Sequence, residues 1–179
     1  MIYFVIAVTI VYIIYMTYKK GEPLSSISEI SYVAKHHWEF MAYMLFLAVY
    51  VLPVMYRKSS PGTRFLTYFT ALGMLMAIIT PVFRTHGAIF HDVGGVITCV
   101  ACQTCILLNR PILLLAWFPY IFFFLFMRKE IHSHPVFWAE MTVLENMFMY
   151  SLIWSCDQMF WRSMVLALTF WKGSNIGTK

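Results

Sequence analysis

Charge is what this chain has least of. Of its 179 residues only 12% are Asp, Glu, Lys or Arg, against 61% hydrophobic, and the mean hydropathy is +0.72. Soluble domains carry about a quarter charged residues, so an ordinary water-soluble globule is excluded and most side chains must face lipid or other helices. The basic excess is small and scattered, with 13 Lys and Arg set against 8 acids for a formal charge of +5. No run of basic residues interleaves with aromatics, which excludes a nucleic-acid footprint and leaves loop charge near membrane head groups. Cys99, Cys102, Cys105 and Cys156 all fall inside apolar runs. None sits in a loop where an oxidising compartment would pair it, so no disulfide framework follows. Internal repeats, low-complexity tracts and domain boundaries are absent as well.

What is present is a series of apolar segments, each near the roughly 20 residues that a membrane-crossing helix needs. They predict an all-α integral membrane bundle of six transmembrane helices, one domain over 1–179, with spans at about 2–18, 40–56, 65–80, 89–108, 111–127 and 136–156. Residues 157–171 read as a short interfacial segment, anchored by Trp161 and Trp171. The first segment carries Lys19 and Lys20 after its apolar core, the reverse of a secretory signal, and is expected to be a retained span. Pro81 should end the third span, Pro111 should open the fifth, and Pro119 should kink it. Asp92 is placed to cap the fourth helix, whose positive dipole end favours a carboxylate. Orientation is closely balanced: seven basic residues on the even loops and termini face six on the odd loops, which leans to both termini inside.

This topology gathers polar chemistry on one membrane face. His36, His37, His86, His91, His132 and His134 all lie in or beside odd loops, with Glu22, Glu29, Glu39, Asp92, Glu130 and Glu140. The stretch from Thr80 to Cys105 is the centre of it, with Arg84, His86, His91 and Asp92 in its loop. Histidine and carboxylate together suit zinc, and His86, His91, Asp92, His132 and His134 are the candidate ligands. Glu29, His91 and Asp92 are the candidate catalytic groups, acting on a metal-bound water. Their spacings match no metalloenzyme signature, and histidines half solvated at membrane mouths, capping helices and binding head groups, are the better reading. No cofactor is established by the sequence.

Cys99, Cys102 and Cys105 have part of an iron–sulfur spacing but lie within an apolar helix, so buried packing is the better reading. Haem is disfavoured because the histidines cluster at loops. Gly94 and Gly95 read as a close helix approach. Glu145 and Asn146 lie about halfway into the sixth span, where an acid is either a functional group or an interhelical hydrogen-bonder.

Three stretches carry a resemblance. Ser26-Ile27-Ser28-Glu29-Ile30 follows the first span, Thr85-His86-Gly87-Ala88-Ile89-Phe90-His91-Asp92-Val93 follows Pro81, and Leu144-Glu145 precedes Trp154. Their layout resembles the domain-of-unknown-function 998 family of bacterial multi-span membrane proteins. More distantly it is similar to the Frag/DRAM/Sfk membrane proteins, some of which are linked to lipid handling. The chain departs from the 998 pattern at Asn146, where Arg is usual, and at Thr80-Pro81, where Phe-Pro is usual. The resemblance implies a six-span fold in a bacterial cytoplasmic membrane, with Ser28, Glu29, His86, His91 and Asp92 meeting at one mouth.

Taken together, the expectation is a lipid-handling membrane protein that binds a head group through Ser28, Glu29, Arg84, His86, His91, Asp92 and Glu145. Alternatives are a metal-dependent hydrolase of a lipid amide or ester, a small proton-coupled transporter with Glu145 as its buried titrating group, or a structural subunit. Membrane lipids are the expected partners; a protein partner or oligomeric state does not follow from the sequence.

Overall fold

The computed structural model describes residues 2–30, 37–80, 85–126 and 134–153. Outside the loop at 21–30 and short turns those residues are helical, with no strand among them. The helices are α1 (Ile2–Lys20), α2 (His37–Lys58), α3 (Phe65–Ile79), α4 (Thr85–Asn109), α5 (Trp117–Phe126) and α6 (135–153). Short 3₁₀ turns at Pro61–Thr63 and Pro111–Ala116 precede α3 and α5. Four segments are long and apolar enough to cross a membrane: Ile2–Lys20, Trp38–Lys58, Pro61–Ile79 and Ile89–Asn109. The expected tail at 157–171 lies outside the described residues.

Each helix buries one stripe and leaves other apolar faces open. In α1 the buried positions are Val5, Thr9, Ile13 and Met16, spaced at helical period, while Ile10, Val11 and Ile14 are at least half exposed. In α3 and α4, Leu72, Leu75, Val96 and Val100 are likewise exposed. Open aliphatic surface on several faces would drive association in water; it is the surface that a bilayer solvates. Hydroxyls inside these helices turn back on their own backbone. Thr9 donates to the Val5 carbonyl, Thr70 to Leu66, Thr98 to Gly94 and Thr142 to Trp138, all at 2.9 Å. A polar side chain is thereby satisfied without a partner from another helix.

The tightest packing joins α3 to α4 through glycine. A Cβ built at Gly73 would stand 2.6 Å from the Gly94 carbonyl oxygen and 2.6 Å from the Thr98 nitrogen; one at Gly94 would stand 2.7 Å from the Gly73 oxygen. The two backbones touch, and only glycine fits at both positions. At the other end of the hairpin, Asn109 Oδ1 accepts from the Ser60 N–H at 2.8 Å, and its Nδ2 donates to Thr63 Oγ1 at 2.9 Å. Gly21 ends α1 in the left-handed region at φ +79°, its N–H reaching the Thr17 carbonyl at 3.1 Å.

Two expectations need correction. α4 begins at Thr85, not near residue 89, so Asp92 stands two turns inside the helix and caps nothing. Pro119 does not kink a long fifth helix. The chain runs as a 3₁₀ turn to Ala116 and starts α5 at Trp117, putting Pro119 in the first turn, where its missing N–H costs no helical hydrogen bond. Cys102 and Cys105 are fully buried packing residues, with Cys105 Sγ 3.0 Å from Ser59 Oγ.

Adjacent glycines provide a test. Gly94→Ala forces the α3–α4 backbones apart and should cost roughly 1–3 kcal/mol. Gly95, beside which a Cβ meets nothing within 4 Å, should accept alanine with no loss, or a gain of up to about 1 kcal/mol from helix propensity. Thermal unfolding of the two variants in detergent checks this; equal melting temperatures would mean that the glycine contact is not what joins the pair.

Candidate functional site

The site is built where the loop after α1 folds onto the start of α6. Leu24, Ile27 and Ile30 point inward and are almost fully buried, so the loop is nailed to the bundle by every third residue while Ser25 and Glu29 stay on its outer side. Ser26 closes the turn: its Oγ accepts the Glu29 N–H at 3.0 Å, and Ile30 N–H reaches the Ile27 carbonyl at 3.0 Å. That turn presents backbone donors to Glu140 on α6. The Glu140 carboxylate accepts the Ile27 N–H through Oε2, takes a bond from the Ser28 N–H, and lies 3.4 Å from Ser28 Oγ through Oε1. The contact is reciprocal, since Phe137 N–H, in the first turn of α6, donates to the Ser25 carbonyl at 3.0 Å. One carboxylate thus latches the loop to α6 with charge-assisted bonds.

A second clasp works outside it. Glu29 pairs with Lys20 Nζ at 2.9 Å and accepts from the Ser25 N–H at 2.5 Å and Ser25 Oγ at 3.0 Å. Partial burial pushes this carboxyl up, but the bonds from Lys20 and Ser25 outweigh it and hold the group below the usual carboxylate range.

His91 holds the opposite wall. It is 5% exposed, and its Nδ1 lies 2.9 Å from the Ala77 carbonyl oxygen on α3. That carbonyl lies in the last turn of α3, which ends at Ile79 with Thr80 extended, so it has no helical amide four residues on. The imidazole supplies the missing donor through its Nδ1–H.

Two spaces meet at these groups. A cavity of about 100 Å³ lies inside the bundle against Phe40, Leu47, Met74 and Met147. A groove of about 960 Å³ runs between α4, α5 and α6, from Ser25, Ser26 and Asp92 past Val96 and Val100 to Gln103 and Trp117. Ser28, His91, Gly95, Cys99, Glu140 and Val143 line both and form the partition. The far end of the groove is closed by amides. Gln103 Oε1 accepts from Trp117 Nε1 at 3.0 Å and Asn146 Nδ2 at 2.9 Å; with the Asn146 amide reversed, its nitrogen reaches the Leu113 carbonyl at 2.7 Å and its oxygen meets Trp117 Nε1 at 3.2 Å. In the first orientation Gln103 of α4 joins Trp117 of α5 to the fully buried Asn146 of α6; in the second Asn146 itself reaches Trp117 and the turn before α5.

Of the residues expected at the site, Ser28 and His91 stand in the partition and Asp92 on the exposed rim of the groove, with Glu29 one residue away but engaged with Lys20. Arg84 and His132 lie outside the described residues, as does the side chain of His86. His134 is partly buried, with no hydrogen-bond partner for its Nδ1 among the described residues, and lines neither space. Among the described residues no three His, Cys, Asp or Glu side chains converge as a metal site. Of the described members of the zinc set, His91 stands in the buried partition, Asp92 on the exposed rim of the groove and His134 beside neither space.

Glu145 is not the buried acid expected of the sixth helix. The inward stripe of α6 is Thr142, Val143, Asn146, Met147 and Tyr150, which turns Glu145 to the exposed side. The acid that matters is Glu140, counted on this face from the sequence but not singled out. Its signal was available in its position one turn beyond Pro135, opposite a loop rich in serine N–H groups. Comparison with known proteins finds no family model that matches this chain, and no curated protein or solved structure that matches it.

Glu140→Leu removes the acceptor of two loop amides, whereas Glu140→Gln keeps one acceptor oxygen. Hydrogen bonds to a charged group are worth about 1.5–3 kcal/mol. Amide exchange at Ile27 and Ser28 should therefore quicken at least tenfold in the leucine variant and less in the glutamine variant; unchanged exchange in both would show that the loop is held by its apolar residues alone. The Glu29 clasp has a pH signature of its own. Its folded pKa lies below the unfolded value of about 4.3, so its contribution is complete above that value and lost as pH falls through the folded one. Protection of the Ser25 amide, its rate taken relative to the free-peptide rate at each pH, should fall on acidification through the folded value, and Lys20→Met should move that fall to higher pH.

Proposed function

We propose that this chain is a six-span integral membrane protein that holds one amphipathic lipid in the groove between α4, α5 and α6. Four of the spans are the segments of membrane-crossing length described above; α5 and α6 complete the bundle. The carrying observation is the groove's composition along its length. It is polar at one end, at Ser25, Ser26, Ser28 and Asp92, and apolar through Val96, Val100, Val136, Ala139 and Val143. From Asp92 to Gln103 is eleven residues of α4, or about 16 Å of rise, close to half the ~30 Å hydrocarbon thickness. One acyl chain from one leaflet fits that length, with its head at the latch. The serine hydroxyls and the Asp92 carboxylate favour a head group that carries hydroxyl, amide or ammonium donors.

A bacterial cytoplasmic membrane, and kinship with the domain-of-unknown-function 998 family, are part of the same proposal. Both rest on the three stretches quoted from the sequence. Two of these stretches supply the latch loop and His91.

Gly95 gives the test. It lines both spaces, and a side chain there meets no atom close by, so Gly95→Leu fills the partition without a backbone clash. Wild-type protein should carry about one tightly held lipid per chain through detergent purification, detected by native mass spectrometry. The variant should fold with an unchanged melting temperature and lose that lipid about tenfold or more, as expected when apolar contact worth over about 1.4 kcal/mol is displaced. Equal retention by a well-folded Gly95→Leu protein would sink this assignment of the groove.

A further inference from the structure

A second groove lies at the opposite end of the bundle, between α2 and α3, and its mouth is basic. Its walls are Ala48, Leu52 and Pro53 from α2 with Thr67 and Ala71 from α3, enclosing about 670 Å³. Alanines where α2 and α3 face each other leave an open furrow instead of interlocked side chains. Pro53 withholds the N–H that would have met the Val49 carbonyl, also in the wall. Thr67 is 4% exposed, and its hydroxyl has no hydrogen-bond partner among the described residues. The wall therefore holds polar groups that the chain itself does not fully use.

The mouth is formed by Tyr56, Arg57 and Tyr68, with Arg64 beside it against the Tyr56 ring. Arg57 Nε donates to the Pro53 carbonyl at 3.2 Å and Arg64 Nε to the Ser59 carbonyl at 3.3 Å, which orients both guanidinium groups through one nitrogen. Arg64 also stacks over the Tyr56 ring, 5.2 Å from its centroid, and the Tyr56 and Tyr68 rings lie 5.5 Å apart. Among the described residues no carboxylate pairs with either arginine. Two fixed guanidinium groups with free forks are a phosphate-binding arrangement, and tyrosines beside them suit the membrane interface. From Ala48 to Arg57 is nine residues of α2, about 14 Å of furrow.

We infer that the α2–α3 groove is a binding site for an anionic glycerophospholipid, with its phosphate on Arg57 and Arg64 and one acyl chain along Ala48, Leu52 and Ala71. The occupant is a lipid because the apolar furrow continues directly from the basic mouth on a face of membrane-length helices. It is anionic because the two guanidinium groups are positive and, among the described residues, no carboxylate pairs with them. This site is separate from the α4–α5–α6 groove, and either can hold without the other.

The test is competitive lipid binding to the full chain in detergent, read by native mass spectrometry. Phosphatidylglycerol and phosphatidylcholine of identical acyl chains are the probes, with soluble glycerol phosphate as the chain-free control. An arginine near an anionic lipid is worth roughly a fivefold preference. Wild type should retain phosphatidylglycerol over phosphatidylcholine by about tenfold or more. Arg57→Gln and Arg64→Gln should each lower that ratio about fivefold, Ala48→Trp should reduce retention of both lipids, and Gly95→Leu should leave the ratio as in wild type. No preference in wild type would overturn the site, a result that needs no variant to fold. So would a preference untouched in the arginine variants, one abolished by Gly95→Leu, or displacement by glycerol phosphate at the concentrations where phosphatidylglycerol binds.

Discussion

The contact between Gly73 and Gly94 sets the geometry of everything around it. Because α3 and α4 touch backbone to backbone there, His91, one turn before Gly94, is brought within reach of the Ala77 carbonyl, one turn after Gly73. The neighbouring Gly95 then falls on the face turned toward α6, where its lack of a side chain leaves room between the inner cavity and the outer groove. A larger residue at either contact glycine would separate the helices and with them the partition.

Each end of the bundle is finished by polar chemistry, in different ways. At the latch a carboxylate on α6 gathers the amides of a loop. At the opposite end Lys58, in the last turn of α2, donates to the Tyr150 and Ser151 carbonyls at 2.6 and 2.9 Å. α6 is therefore held by an anion near its start and by a cation about three turns further on. Between them its burial is apolar except for Thr142, Asn146 and Ser151.

Positions of the apolar segments were legible because a lipid-facing helix must be apolar almost throughout, and its ends are then marked by Lys19-Lys20, Arg57-Lys58 and Pro111. Of the polar groups that chain order placed on one face, Ser28 and His91 do meet, with Glu140. What could not be read was the rotation of each helix about its axis. When every face is apolar the period no longer says which side is inward, and one residue is a turn of about 100°. That is why Glu145 seemed the buried group and Asn146 its neighbour, when the reverse holds. The role of His91 was hidden for another reason: it answers a vacancy in the backbone hydrogen bonding of a different helix.

That vacancy belongs to the end of α3. The helix stops at Ile79 and the chain turns extended at Thr80, which leaves the Ala77 carbonyl in the last turn without an amide four residues on, and the imidazole at 91 fills the place. Loss of the imidazole would strand an acceptor in an apolar interior. The end of α3 and the ring on α4 therefore constrain each other: a further helical turn on α3 would supply the carbonyl from its own backbone and leave the ring without a partner.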